Sequence, residues 1–130
     1  MAPYTLKNMK EIKDMAQEFG LSPELEARFA RDPLECEKLA LSYQRLAPNF
    51  RTPFGHRHAA QEEVYLCVGG SGRIKVGDEV IELAQWDAIR VAADAMRALE
   101  AGPGGAEIIA IGAPSTRPND AEMVSGWWAE

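Results

Sequence analysis

The chain's two histidines, His56 and His58, stand one residue apart in the run GHRHAAQEEVYLCVGGSG, with Glu62 and Glu63 just downstream. Successive side chains of an extended strand point to opposite faces, so His56 and His58 share a face and Arg57 does not. Two imidazoles on one face can hold a single ion, and imidazole suits zinc, iron, copper and nickel. A carboxylate arriving from the next strand would complete a two-histidine, one-carboxylate set. Such a set leaves coordination positions open for water or substrate, as catalysis requires. The competing use of an HxH pair is a pair of solvated or hydrogen-bonded rings. A chain that also supplies the glutamates and glycines on a β framework tips the balance towards metal.

Which glutamate faces the histidines is open on periodicity. Glu62 shares its face with Val64, Leu66 and Val68, whereas Glu63 shares one with Tyr65 and Cys67. A barrel strand covered on both sides is apolar on both faces, so parity does not choose. Tyr65 and Cys67 are candidate pocket residues for a small ligand, with ordinary core as the alternative for a buried Cys.

The elements that must position these groups change period along the chain. From Asn8 to Phe19, apolar residues fall at Met9, Ile12, Ala16 and Phe19, the spacing of one helical face, and Gly20 follows as a helix-ending glycine. Ser22-Pro23-Glu24 reads as N-cap, N1 proline and first-turn acid of a second short helix, to about Ala30. After Cys36 the period becomes two. Leu39, Leu41 and Tyr43 open a strand, followed by strand candidates at 62–68, 73–76, 80–83, 88–91, 95–100 and 107–111. GGSG, Gly77-Asp78 and AGPGG read as the turns between them, Gly77-Asp78 as a hairpin. Many short strands closely spaced by turns imply a sandwich or a small closed barrel. The expected organisation is one domain: a helical extension over residues 1–38, a barrel over 39–112, and a loop-like tail over 113–130. Trp127 and Trp128 in that tail should pack on the barrel or on a second subunit.

A chain of 130 residues fits one hydrophobic core. Its net charge of −6 argues against nucleic acid or an anionic membrane surface as a partner. The start, MAPYTLKNMK, lacks the apolar stretch of a signal peptide, and no apolar run reaches the roughly 20 residues of a membrane span. Cys36 and Cys67 form no CxxC pattern, so the expected setting is reduced and cytoplasmic.

The run GHRHAAQEEVYLCVGGSGRIKVG resembles the first motif of the cupin superfamily: HxH, three or four residues, Glu, six residues, Gly. The resemblance extends over residues 41–112. It implies a mainly β, double-stranded β-helix (jelly-roll) barrel whose histidines and glutamate face inward and hold a divalent transition metal such as Zn, Fe, Mn or Ni. It also suggests a homodimer. Family members place the ligand directly before an apolar residue, as in Glu63-Val64, and this favours Glu63. The family's second motif is altered here. Its register places Ala92 at the proline, Asp94 at the glycine, Ala101 at the asparagine, and Arg97 where a fourth ligand, a histidine, would stand. The site is therefore a three-ligand site or a vestige. Arg97 either faces inward, to bind a substrate carboxylate or phosphate, or faces solvent and pairs with a glutamate. Two functional classes follow: a metal-dependent enzyme of the dioxygenase or isomerase type acting on a small organic molecule, or a non-catalytic small-molecule-binding barrel.

Overall fold

A computed structural model describes residues 3–129 of the chain. Among them, eight strands form one curled antiparallel sheet: β1 (Leu25–Phe29), β2 (Ala40–Leu46), β3 (Phe54–His58), β4 (Glu62–Val76), β5 (Glu79–Leu83), β6 (Ala88–Val91), β7 (Arg97–Ala113) and β8 (Ala121–Ser125). No helix among the described residues is long and apolar enough to cross a membrane.

The two long strands, β4 and β7, carry the sheet, pairing from Glu62↔Ala113 to Val76↔Arg97. Strand β7 also pairs with β2 and, through Arg97, with β3, while β4 also holds β5 and β6. The inward side chains of β4 and β7 (Tyr65, Cys67, Ile74, Leu99, Ile108) are almost fully buried and form the core. Burying each aliphatic one stabilises the sheet by roughly 1.5–3 kcal/mol.

GGSG and AGPGG do not end strands. Each lies inside a long strand, and β4 shifts register against β7 between Cys67 and Gly69 and again between Gly70 and Gly72. Gly70 is left-handed (φ +66°), and a Cβ there would lie 2.1 Å from the Gly105 carbonyl oxygen. The glycines thus bend two continuous strands by bulging, instead of breaking four short ones. Gly77-Asp78 does turn the β4–β5 hairpin, with Val76 opposite Glu79.

Among the described residues, the two expected N-terminal α-helices are absent. The first segment keeps one 3-10 turn, Met9–Glu11, and a single turn closed at Gly20. There Leu21 N–H reaches the Ala16 carbonyl and Gly20 N–H the Gln17 carbonyl, a Schellman ending with Gly20 left-handed (φ +73°). The second segment is strand β1. Its five residues pair with β2 from Leu25↔Leu46 to Phe29↔Ser42, burying Leu25 and Ala27. A helix of that length is marginal, while an open sheet edge offers it a complete ladder. Glu26, on the other face of β1, is held by Lys10 (2.8 Å), Arg28 (2.6 Å) and Arg45 (3.0 Å). Burial opposes its charge, but these three cations bring its pKa down to about 2.

The tail is not all loop. Strand β8 pairs with β3 from Ala121↔His58 to Ser125↔Phe54. Beyond it, Trp128 is buried with the Arg51 guanidinium 4.2 Å from its ring centroid, and Trp127 lies against Gly55 beneath the Lys75 ammonium.

Candidate metal centre

Three strands bring the site together. Strand β3 supplies His56 and His58, β4 supplies Glu63 and Tyr65, and β7 opens with Arg97 paired to His56. The alternation on β4 buries Glu63, Tyr65 and Cys67 and turns Val64 outward. Glu62 is exposed and pairs with Arg90 at 3.3 Å. One ligand atom from each of His56, His58 and Glu63 lies within 4.8 Å of the others.

Glu63 Oε1 is the hub. It lies 3.2 Å from His56 Nε2, 3.4 Å from His58 Nε2 and 3.3 Å from Arg97 Nη2, and it accepts the Tyr65 hydroxyl at 2.7 Å. Gln61 Nε2 donates to the other oxygen at 3.3 Å. Burial works against the charge on Glu63, but hydrogen bonds from His56, His58 and Tyr65 outweigh it and hold the carboxyl well below the usual range. Burial and the adjacent Glu63 push the Tyr65 hydroxyl well above its ordinary value, so it stays a neutral donor.

The second ring nitrogen of His58 has its own partner. Nδ1 is 2.6 Å from Asp120 Oδ1, and Asp120 Oδ2 accepts the backbone N–H groups of Ala60 (2.7 Å) and Gln61 (3.2 Å). Once the ring gives up its second proton, the Asp120 carboxylate keeps the remaining one on Nδ1 and frees Nε2 to ligate a metal, the tautomer such a ligand needs. Burial lowers the ring's affinity for a second proton, but Glu63 and Asp120 more than compensate, so the His58 pKa is raised. Asp120 and Gln61 were not among the residues expected from sequence. Asp120 lies in the segment read as loop, and only the pairing of β8 with β3 brings it to His58.

Arg97 is 1% exposed and faces inward. Its Nη1 donates to the carbonyls of Ala93 (3.0 Å) and Ala95 (2.8 Å), while Nε and Nη2 make no hydrogen bond. Arg97, His56, His58, Gln61 and Glu63 lie on a cavity of about 570 Å³ that Phe54, Leu99, Ala98 and Met123 also line. Tyr65 lines it, but Cys67 does not. Its thiol instead contacts the carbonyls of Gly69 and Gly70, and burial raises its pKa, so Cys67 belongs to the core.

Two imidazole nitrogens and one carboxylate oxygen, converging with one imidazole already oriented by an outer carboxylate, fit a divalent transition metal. The nearby guanidinium opposes it. Unit charges 4 Å apart interact by about 4 kcal/mol at an effective dielectric of 20, so Arg97 lowers the affinity without removing the donor set.

The architecture is the cupin fold. A cupin protein from Bacteroides fragilis superposes with a TM-score of 0.72 at 23% identity, over 88% of this chain and 86% of that one. The polyketide cyclase RemF from Streptomyces resistomycificus gives 0.71 at 17% identity, over 97% and 87%. Salicylate 1,2-dioxygenase from Pseudaminobacter salicylatoxidans gives 0.64 at 16% identity, over 76% of this chain and 30% of that one. No protein-family description and no curated protein matches the sequence.

Proposed function

We propose that this protein is a metal-dependent cupin enzyme, of the dioxygenase or isomerase type, acting on a small organic molecule held in its cavity. His56 Nε2, His58 Nε2 and Glu63 Oε1 would hold one divalent transition metal, which supplies Lewis-acid polarisation or oxygen activation when bound. The observation that carries this reading is the convergence of those three atoms within 4.8 Å. The Asp120 contact to His58 Nδ1 supports it, since outer carboxylates of this kind orient metal-binding histidines. Tyr65 and Gln61 hold the Glu63 carboxylate in place. Among proteins of this fold, a dioxygenase and a polyketide cyclase are consistent with chemistry on an organic substrate.

A second reading, a non-catalytic small-molecule-binding barrel, draws on Arg97, whose cation stands 3.3 Å from Glu63 Oε1. Elemental analysis of protein purified without an affinity tag separates the two. A stoichiometric transition metal that is lost in His58→Ala supports the enzyme; none, even after incubation with zinc, manganese or iron(II), supports the binding barrel.

The same reading includes a two-fold homodimer. The cross-strand pairs Val64↔Ile111 and Leu66↔Ile109 turn apolar side chains outward on β4 and β7, and a second copy presents the same stripe to cover them.

A further inference from the structure

Arg97 is the group that metal binding leaves unbalanced. Nη1 is tied to two backbone carbonyls, which fixes the guanidinium in place. The other edge, Nε and Nη2, is buried without a hydrogen bond. Leaving such donors unpaired is costly, and more so where the group is charged. The charge that faces this edge is Glu63 Oε1, 3.3 Å from Nη2. That oxygen is also the one a metal would take. A dication there claims the carboxylate's charge, so Arg97 is left without a counter-ion in a buried site.

We propose that the ligand supplies the missing counter-ion: it carries a carboxylate that docks on the Nε–Nη2 edge of Arg97, and an apolar body that fills the cavity. This deepens the metal-site reading and rests on it. The two donors of that edge match the two oxygens of a carboxylate, a planar fit that a lysine cannot provide. A cavity of about 570 Å³ is far larger than a lone carboxylate needs. Phe54, Leu99, Ala98, Leu25, Ala27 and Met123 give its walls apolar area for a hydrocarbon or aromatic body, beside polar groups such as Ser42, Gln44 and Thr52.

Calorimetric titration with 3-phenylpropionate, its neutral amide 3-phenylpropionamide, and acetate tests this on zinc-loaded and on chelator-stripped protein. The zinc-loaded protein is expected to bind the acid at least about tenfold more tightly than the amide, and acetate more weakly than the acid. Zinc is expected to bind more tightly in the presence of the acid, by the same factor that zinc strengthens the acid. Arg97→Gln should abolish the acid's advantage, and Arg97→Lys should restore only part of it; circular dichroism melting confirms that each variant folds. Equal binding of acid and amide by the wild type, which needs no variant, overturns the proposal. So does an undiminished preference in Arg97→Gln. If zinc does not bind at all, the metal reading fails and this proposal falls with it; if zinc binds but the loaded protein takes acid and amide equally, the carboxylate assignment alone falls.

Discussion

Glu63 Oε1 is approached by two imidazoles, a phenol and a guanidinium, so every change at the floor is felt through one oxygen. Asp120 acts one step further out. Asp120→Asn should keep the fold yet lower metal affinity by roughly 10–100-fold, because Nδ1 loses its charged partner; isothermal titration with zinc measures this. Protons compete with the metal for His58. Its pKa is raised above the ordinary 6.5 despite burial, by Glu63 and Asp120. The stability that its protonated form contributes is therefore present below the unfolded value and lost as pH rises through the folded one. A metal needs the neutral ring, so apparent zinc affinity should rise, and the melting temperature without zinc should fall, as pH is taken from about 6 to about 8. The shared parity of His56 and His58 was legible in the sequence, and the register marked Arg97 without deciding whether it faces inward or to solvent. The Glu63–Val64 step of the motif identified the glutamate, where alternation alone could not. Asp120 was not legible, because 62 residues separate it from His58 and no local pattern links them.

At the scale of elements, the glycines decide how the sheet bends. Gly70→Ala would need a left-handed Cβ 2.1 Å from the Gly105 carbonyl oxygen. It should cost about 2–4 kcal/mol, read as a lower urea midpoint with an unchanged slope. The same glycines misled the strand count, since a Gly-rich run marks a bulge as readily as a turn and only the partner strand distinguishes the two. The N-terminal segments misled for a related reason. Leu25–Phe29 has short-helix punctuation before it, yet its alternating Leu25 and Ala27 serve a strand equally well, and the free edge of β2 settled the matter. Local signals survive where the local geometry is the whole requirement, as at Gly20 and at Gly77-Asp78.

For the whole molecule, the outward stripe of Val64, Leu66, Ile109 and Ile111 is the feature that bears on association. A two-fold dimer is expected at micromolar concentration, and Ile111→Glu should convert it to monomer without lowering metal content; sedimentation velocity reads the first and elemental analysis the second. That the chain turns to β structure followed from the change of period after Cys36, but the two long strands β4 and β7 did not. The closing of the sheet by β1 and β8 did not, because edge pairing depends on what the rest of the fold leaves open. One consequence concerns light. Trp127 packs on Gly55, whose neighbours in β3 are Phe54 and His56. An indole thus rests against the backbone that carries a candidate ligand, while Trp86 is 67% exposed and Trp128 is buried beneath Arg51. The three residues should emit at different wavelengths, and the Trp127 component should respond when β3 is pulled towards an ion. Intrinsic fluorescence titrated with zinc, with Trp127→Phe as the silent control, would make the protein its own optical sensor of occupancy.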